Sequence, residues 1–425
     1  MKPPTKTPVS SLPSTLGAKA AALPPEVALA PASSPVARYL ASLVGQSVNA
    51  IDTPSLVVDL DAMRRNLMRM GDFARKHNVR WRPHAKMHKS VWIADMEIRA
   101  GAVGVCVQKT AEAEAMAAGG IRNIYISNEV VAGTKLVRVA MLAHQLAAEG
   151  GQLAIAVDSV EGINRLAVTM ADVRAQFATR AVVDVFVEID VGQGRCGVPP
   201  GQQAVVLAQE IRKHAPLRFA GLQAYHGKAQ HVRSAQQRRD MIAIVADDVK
   251  YTRKLIEAEG IAPGLVTGAG TGTMVCEAAS GIFDELQAGS FLFMDADYAQ
   301  NERDPAQPVF DHALFVKTQV ISSREDHAVC DAGHKSHAVD SGLPTVHVFD
   351  KDSELVYANG GDEHGILRPA GGGTRVPTIG KMLWLIPGHC DPTVNLHDYM
   401  IGVSGGLRNG VVERIIRVDA RGALT

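Results

Sequence analysis

One lysine stands between two histidines in the stretch RPHAKMHKS, residues 82–90. Lys86 ends a strand-like run, with His84 before it and His88 after it. A lysine amine is a nucleophile only when it is neutral, and burial or nearby cations such as Arg82 would lower its pKa. The stretch therefore indicates either an exposed polar loop or a lysine that forms a covalent bond.

A second candidate is the glycine-rich stretch TGAGTGT, residues 267–273. Backbone at Gly270 and Gly272 can approach a ligand closely, and successive N–H groups with the Thr271 hydroxyl could bind an anion. The glycine spacing does not match a dinucleotide-binding fingerprint, and no lysine follows as in a P-loop. We expect a phosphate site, although a tight loop without a ligand has the same composition.

The third candidate is a pair of metal-ligand residue types in IPGHCDPT. His389 and Asp391 are two residues apart, so on extended backbone their side chains would share one face, opposite Cys390. One imidazole and one carboxylate suit six-coordinate Mn²⁺ or Mg²⁺ better than a closed zinc site. The alternative is a turn that an aspartate caps.

The composition favours a soluble protein that binds neither nucleic acid nor a membrane. The 425 residues include 44 basic and 44 acidic side chains, which indicates neither nucleic acid nor a membrane surface as a partner. No apolar run approaches the roughly 20 residues of a membrane helix. The five scattered cysteines favour a reducing compartment, so we expect a cytoplasmic protein.

The elements that must position these residues alternate between strand and helix. The strand-like runs occupy residues 79–86, 103–107, 124–127, 153–159, 183–190, 219–227, 265–270 and 285–291. Stretches of helical composition separate most of them, which predicts parallel strands with crossover helices. Eight such units favour an α/β fold of the (β/α)8 TIM-barrel type over an open doubly wound sheet.

Three segments are expected along the chain. Residues 1–48, rich in Pro, Ala and Ser, are predicted to form a flexible leader. Residues 49–300 would form the barrel, and residues 301–425, with strand-like runs between Gly- and Pro-rich turns, a C-terminal all-β domain with the metal site. The run SLVVDL at 55–60 is left over from the barrel count and could instead join that β domain.

In a TIM barrel these candidates meet, because the chemistry lies at the carboxyl ends of the strands. Lys86 ends the first strand, Arg195 follows the fifth, Tyr225 and His231 end the sixth, and the stretch 267–273 ends the seventh. A lysine and a phosphate site at one barrel mouth suggest pyridoxal 5′-phosphate (PLP), whose aldehyde forms a Schiff base with a lysine.

Two other lysines compete for that role. Lys89 falls on the next turn after Lys86, and Lys109 follows the second strand. Lys86 is preferred because it lies where the strand should end, at the barrel mouth.

Several stretches together resemble one family, the D-threonine aldolases and 3-hydroxy-D-aspartate aldolases. They are TPSLVVDLDAMRRN, RPHAKMHKS, VEIDVGQGRCGV, LQAYHGKAQH, TGAGTGT, ELQAGSFLFMDADY, DEHG and PGHCDPTVNLHD. The resemblance runs from about residue 50 to the C-terminus. It implies the alanine-racemase type of fold, a barrel plus a β domain that usually dimerises head to tail, with PLP and a divalent metal.

The same resemblance implies roles for single residues. Lys86 would be the Schiff-base lysine, Arg195 the partner of the pyridine nitrogen, Tyr225 a residue lining the cofactor, and His231 a catalytic base near the metal. Since a guanidinium stays protonated, the ring nitrogen facing Arg195 should stay unprotonated and the ring should be a weaker electron sink. Activation of the substrate hydroxyl by the metal would then matter more.

The expected activity is that of a carbon–carbon lyase, which cleaves a D-3-hydroxy-amino acid to glycine and an aldehyde. The alternative is a D-3-hydroxyamino-acid dehydratase that releases ammonia and a keto acid. The related D-serine dehydratases carry a cysteine where this sequence has Asp391, which favours the aldolase. D-threonine and D-3-hydroxyaspartate stay open as substrates, since Arg82, Lys228 and Lys335 could each supply a cation for a β-carboxylate.

Overall fold

Two β-sheets organise the chain. The computed structural model describes residues 34–347, 349, 354–370 and 375–425. Within these residues one sheet has eight strands and the other has nine. The eight-stranded sheet is parallel throughout, whereas most pairs in the nine-stranded sheet are antiparallel.

The first described element is helix α1 (Pro35–Leu43), which corrects part of the leader prediction. The Ser34 side chain caps its N-terminus, proline occupies the first turn, and three apolar side chains of the helix are buried. The prediction that residues 1–48 are flexible is therefore wrong for residues 34–48, because the apolar spacing in this short stretch is enough to pack a helix. Residues 1–33 lie outside the described part of the chain.

Strand β1 (Ser55–Asp59) belongs to the nine-stranded sheet, although it precedes the barrel in the chain. It pairs antiparallel with β10 (Leu314–Ser323) and parallel with β16 (Tyr399–Ser404). Helix α2 (Leu60–His77) then leads into the barrel, and the Asp59 carboxylate accepts two N–H groups of its first turn. The N-terminal strand thus ties the two sheets together.

The barrel strands follow α2 in chain order. They are β2 (Arg80–Trp81), β3 (Val105–Val107), β4 (Asn123–Ile126), β5 (Gln152–Val157), β6 (Val183–Glu188), β7 (Leu217–Ala224), β8 (Leu265–Gly268) and β9 (Glu285–Leu286). The helices between and after them are α3 (Val91–Arg99), α4 (Thr110–Ala118), α5 (Gly133–Ala148), α6 (Val160–Val173), α7 (Gln202–Arg212), α8 (Ala235–Ala258), α9 (Met274–Ser280) and α10 (Ala296–Ala299). Among the described residues, no helix has the length and apolarity to cross a membrane.

The parallel sheet closes on itself. Its strand order runs β2-β9-β8-β7-β6-β5-β4-β3, so β2 and β3 are the strands at its two ends. The N–H of Val103 donates to the Trp81 carbonyl at 2.9 Å, and the N–H of Cys106 donates to the Pro83 carbonyl at 2.8 Å. These bonds join the two end strands, and the predicted eight-stranded α/β barrel is confirmed.

The second sheet receives the remaining strands. They are β11 (Ala328–Cys330), β12 (Thr345–Val346), β13 (Leu355–Asn359), β14 (Gly365–Pro369), β15 (Met382–Ile386) and β17 (Val411–Arg417). Two short helices, α11 (Cys390–Val394) and α12 (Gly406–Asn409), interrupt it. Buried apolar residues of α2, the barrel and this sheet form one continuous cluster, so α11 is held against the barrel.

A buried chain of hydrogen bonds holds the glycine-rich loop after β8. The Gln230 side chain accepts the N–H of Gly272 at 3.0 Å and donates to the Thr273 hydroxyl at 2.8 Å. That hydroxyl donates to the Glu277 carboxyl at 2.7 Å. Burial raises the pKa of Glu277 to about 7, and its other oxygen has no hydrogen-bond partner among the described residues.

Replacing Glu277 by Gln should flatten the dependence of stability on pH. The pKa of Glu277 lies at about 7 in the folded chain against an ordinary value of 4.5, so the folded state retains a proton that the unfolded state loses. The free energy of unfolding should therefore fall between about pH 4.5 and 7, by up to about 3 kcal/mol. Urea unfolding at about pH 5 and pH 8 measures this fall, which should be smaller in Glu277→Gln than in the wild type.

The exposed Glu257 on α8 offers a matched control, since Glu257→Gln should keep the wild-type dependence. An identical fall in all three proteins would show that Glu277 is not its source.

Candidate active site

A cavity of about 500 Å³ opens at the carboxyl ends of the barrel strands. The predicted site residues that line it are Lys86, Arg195, Tyr225, His231, Gly270, Thr271, His389 and Asp391. Gly272 lies outside the cavity lining, with its N–H already bonded to Gln230, so its predicted contact with a phosphate has no support in the geometry. Barrel residues and the start of α11, which follows β15 of the second sheet, meet at this cavity.

Lys86 reaches the cavity from a 3₁₀ turn rather than from a strand end. Strand β2 ends at Trp81, and Lys86 lies in the turn Ala85–Met87, which His84 begins. Its amine is 3.3 Å from the Asp391 carboxylate. Burial by itself would lower the pKa of Lys86, but this carboxylate outweighs it and raises the pKa. Without ligands the amine is therefore held as an ammonium, contrary to the expectation from the sequence.

Arg82, which we expected to lower the pKa of Lys86, does not face that lysine. Its guanidinium points into the barrel, where it donates to Glu285 at 3.0 Å and to Asn123 at 2.7 Å. Lys89, a competitor of Lys86, is buried against Glu112 at 3.2 Å and so faces away from the cavity. The other competitor, Lys109, does line the cavity.

The predicted metal ligands lie at the start of α11, and of the two only His389 is on extended backbone. His389 precedes the helix in an extended conformation and Asp391 lies in its first turn. The expected strand-like pairing is wrong because the chain turns into a helix between them, yet His389 Nε2 and Asp391 Oδ1 are only 3.8 Å apart. Burial would raise the pKa of Asp391, but Lys86 and His389 outweigh it and lower the pKa to about 2.

Two aspartates that the sequence analysis missed orient the two histidines of the site. Asp295 Oδ2 lies 2.8 Å from His389 Nδ1, and Asp297 Oδ2 lies 2.6 Å from His231 Nδ1. A carboxylate only accepts hydrogen bonds, so each Nδ1 carries the hydrogen and each Nε2 is turned toward the cavity. The signal was present in the sequence as the alternating carboxylates of MDADY.

The charges of these aspartates act on their partners. Burial alone would lower the pKa of His389, but its hydrogen bond to Asp295 and the charge of Asp391 raise the pKa to about 9. Burial alone would raise the pKa of Asp297, but Arg233 and His231 outweigh it and lower the pKa. Asp297 therefore stays ionised and holds the His231 ring in place.

Arg195 lines the cavity beside Tyr225. Its guanidinium is 5.8 Å from the centre of the Tyr225 ring and 3.8 Å from Glu188. Burial and the charge of Glu129 raise the pKa of Glu188 to about 8, although Arg195 opposes the shift. The raised pKa weakens the negative charge that Glu188 places beside Arg195, which favours binding of a ligand to the guanidinium.

The donor set of this cavity fits PLP. Lys86 offers the amine, and Arg195 offers a cation for the ring nitrogen. Gly270 and Thr271, with Ser290 beside them, line the end where small residues leave room for a phosphate. The cavity is also large enough for a bound cofactor and a small substrate.

The metal pair also has the surroundings of a ligand site. Metal-bound histidines usually donate their other ring nitrogen to a carboxylate, as His389 does to Asp295. One imidazole and the Asp391 carboxylate leave positions open for water and substrate, which suits Mn²⁺ or Mg²⁺. His389 and Asp391 would hold the ion beside Lys86.

Comparison with known proteins agrees with this architecture. The family model of the alanine racemase N-terminal domain matches residues 58–297, and that of a serine dehydratase domain matches residues 313–403. A 3-hydroxy-D-aspartate aldolase of Paracoccus denitrificans is 42% identical over 90% of this chain and 95% of its own. A D-threonine aldolase of an Arthrobacter species is 41% identical over 89% of this chain and 95% of its own.

Solved structures give the same grouping. The crystal structure of D-threonine aldolase from Filomicrobium marinum matches with a TM-score of 0.83 and 42% identity, over 90% of this chain and 99% of that one. A D-threo-3-hydroxyaspartate dehydratase of a Delftia species is more distant, at 28% identity over 81% of this chain and 92% of its own. The chain therefore belongs to the family of D-threonine aldolases and 3-hydroxy-D-aspartate aldolases, with the alanine-racemase type of fold.

Proposed function

We propose that this chain cleaves D-3-hydroxy-amino acids to glycine and an aldehyde, with PLP on Lys86 and a divalent metal on His389 and Asp391. The observation that carries the proposal is the 3.3 Å approach of the Lys86 amine to the Asp391 carboxylate. This approach supports Lys86 as the covalent anchor of the cofactor, beside a metal pair that would act on the hydroxyl of the substrate. The aldolase relatives support the same reaction.

His231 is the proposed base for the β-hydroxyl. Its Nδ1 is bound to Asp297 at 2.6 Å, so the neutral ring has Nε2 free to accept a proton. The ring is 5.7 Å from the ring of Tyr298, which is in turn 6.4 Å from the ring of His389. His231 thus stands on the metal side of the cavity, where loss of the hydroxyl proton starts the cleavage.

Lys86 and Arg195 act on the other half of the reaction. When bound, PLP supplies a sink for the electron pair that the breaking Cα–Cβ bond leaves behind. Arg195 would keep the ring nitrogen unprotonated and so limit that sink. Lys86 would hold the cofactor, and its amine could return a proton to Cα to complete glycine.

The proposed metal completes the site from the second sheet. Mn²⁺ or Mg²⁺ on His389 and Asp391 would supply positive charge that favours ionisation of the substrate hydroxyl. Because Arg195 makes the electron sink weak, this charge carries more of the reaction. The hydrogen bond of His389 Nδ1 to Asp295 would leave Nε2 of that imidazole to hold the ion.

The alternative function, a dehydratase, would expel the β-hydroxyl instead of retaining it on the aldehyde. The related dehydratases carry a soft cysteine ligand where this chain has the hard carboxylate of Asp391, and a carboxylate favours Mn²⁺ or Mg²⁺ over zinc. The aldolase is therefore the preferred function.

Assembly and location remain part of the proposal. The fold type usually forms homodimers in which each β domain closes the barrel mouth of its partner, and we propose the same arrangement here. The five cysteines are all free, which supports a reducing compartment such as the cytoplasm.

The reaction class is tested by the products. Purified protein with PLP, Mn²⁺ and D-threonine or D-3-hydroxyaspartate should release glycine and an aldehyde in equal amounts, with little ammonia. Glycine is measured by chromatography, the aldehyde by a coupled reductase and ammonia enzymatically. Ammonia with a keto acid as the main products would favour the dehydratase.

Lys86→Ala should remove the visible absorbance of protein-bound PLP and reduce aldolase activity to the background rate, because no other residue forms the covalent bond. Borohydride reduction followed by peptide mapping identifies the modified lysine. Lys109→Ala, which changes another lysine of the same cavity, should keep the absorbance. A reduced adduct on Lys109 or Lys89 would contradict the assignment.

Asp391→Cys should shift metal preference from Mn²⁺ toward zinc and cut aldolase turnover, because a thiolate is a softer ligand. Elemental analysis and glycine release on the same sample measure both effects. Asp398→Cys changes a largely exposed carboxylate and should alter neither metal preference nor turnover. An unchanged Mn²⁺ preference in Asp391→Cys would show that Asp391 is not a metal ligand.

Chelation of the wild type should remove most activity, and Mn²⁺ or Mg²⁺ should restore it.

A further inference from the structure

We propose that Lys228 binds a carboxylate on Cβ of the substrate, so that this chain prefers D-3-hydroxy acids with an anionic side chain to D-threonine. The inference rests on the proposed function and deepens it by naming the substrate class. Its basis is the position of Lys228 relative to the carbon that carries the hydroxyl.

Arg82 cannot reach the substrate. It is buried in the barrel interior, and both its contacts are made there, to Glu285 at 3.0 Å and to Asn123 at 2.7 Å. Moving the guanidinium to the cavity would leave the buried Glu285 carboxylate without this partner, which is costly.

Lys335 is excluded for a different reason. Its amine lies on the surface of the second sheet, 2.7 Å from Glu363 and 3.2 Å from Asp362, and it does not line the cavity. Two acidic neighbours already neutralise its charge. Of the three cations that the sequence left open, Lys228 alone reaches the cavity.

Lys228 lies on the same 3₁₀ turn as the proposed base. The turn runs from Lys228 to His231, and side chains three residues apart on a 3₁₀ turn project from the same side. The Lys228 N–H donates to the Gln193 side chain at 2.7 Å, which fixes the turn against the loop that precedes Arg195. A base that reaches the β-hydroxyl therefore brings the Lys228 amine toward the other substituent on Cβ.

The Lys228 amine is positioned for an anion that the protein itself does not provide. Its nitrogen would be 3.7 Å from a Cβ built on Gly194, so it lies over the loop at the cavity rim. Within the described residues no carboxylate forms an ion pair with it. A long flexible side chain with an unpaired ammonium at the mouth of a cavity suits a substrate carboxylate.

Three lysines line the cavity: Lys86, Lys228 and Lys109. The position of Lys109 makes it a matched control for Lys228. It follows β3, which is four strands away from β7 in the ring of eight, so it lies across the barrel mouth from Lys228. His231 is on the β7 side. Lys109 therefore carries the same charge and lines the same cavity as Lys228, but it lies on the side opposite His231.

The effect of Lys228 should be moderate, since its side chain is exposed at the rim and water competes for its charge. The ratio of kcat/KM for D-3-hydroxyaspartate to that for D-threonine should fall about tenfold in Lys228→Met, the size expected for a charge-assisted hydrogen bond. Lys228→Arg should recover most of the ratio, and Lys109→Met should keep the wild-type value.

A binding measurement separates this inference from the reaction itself. D-aspartate carries the same carboxylate but no β-hydroxyl, so it cannot be cleaved by a retro-aldol reaction. Its affinity for the PLP-loaded protein, followed by the change in cofactor absorbance, should fall about tenfold in Lys228→Met. The affinity for D-2-aminobutyrate, which has a methyl in place of the carboxylate, should change far less.

The outcomes distinguish the two proposals. If the wild type cleaves neither substrate, the proposed function fails, and the D-aspartate arm still decides the role of Lys228. A selective loss of D-aspartate binding in Lys228→Met supports the inference. Equal losses for D-aspartate and D-2-aminobutyrate, a selective loss in Lys109→Met instead, or a wild-type preference for D-threonine would each overturn it.

Discussion

The proposed active site depends on one contact, that of helix α11 with the turn Ala85–Met87. The contact brings Asp391 to 3.3 Å from Lys86. A second tie lies behind it, where Lys89 donates to Asn395 just past α11 at 2.8 Å. Neither segment could form the site by itself, because one supplies the amine and the other supplies the carboxylate and imidazole.

The N-terminal strand β1 supports that contact by connecting the second sheet to the barrel. β1 precedes the barrel but pairs with β10 and β16 of the second sheet, and α2 continues directly from it into the barrel. The chain therefore enters the barrel from the second sheet and returns to it after α10. Since buried residues of α2, the barrel and the second sheet share one apolar cluster, α11 has little freedom to move away from the barrel mouth.

Paired charges give the cavity its electrostatic character. Lys86 faces Asp391, His389 faces Asp295 and His231 faces Asp297. Pairing lowers the pKa of Asp391 and of Asp297 against the effect of burial, and the hydrogen bonds to Asp295 and Asp297 orient the two imidazoles. Asp295 and Asp297 flank one residue at the start of α10, so a single short helix orients both histidines.

Electrostatic partners were the part of the site that sequence reasoning predicted least well. Arg82 is only four residues from Lys86, yet its side chain points to the opposite face and binds Glu285. Asp391 is far from Lys86 in the chain, yet it determines the direction of the Lys86 pKa shift. Charge interactions depend on distance in space, and proximity along the chain is a poor substitute for it.

Local conformation also changed two predictions. The spacing of His389 and Asp391 predicts extended backbone, but proline after Asp391 suits the first turn of a helix, and α11 begins there. The composition before residue 49, rich in Pro, Ala and Ser, predicts a flexible leader. Proline at the start of α1, after the capping Ser34, instead begins a helix that packs on the second sheet.

The sequence by itself determined the barrel, the β domain and the types of residue that line the cavity. Alternating strand and helix patterns are local, and a closed ring of parallel strands brings the carboxyl end of each to one mouth whatever the details of the loops. The lysine, arginine, tyrosine and histidines of the cavity could therefore be named from their places after strands.

Only the tertiary structure decided which groups face one another. It paired Lys86 with Asp391, assigned Asp295 and Asp297 to the histidines, and turned Gly272 to Gln230 instead of the cavity. These outcomes depend on how two sheets pack and on a few ångströms of side-chain direction. No local pattern encodes them, because each joins residues that the chain brings together only after both sheets have formed.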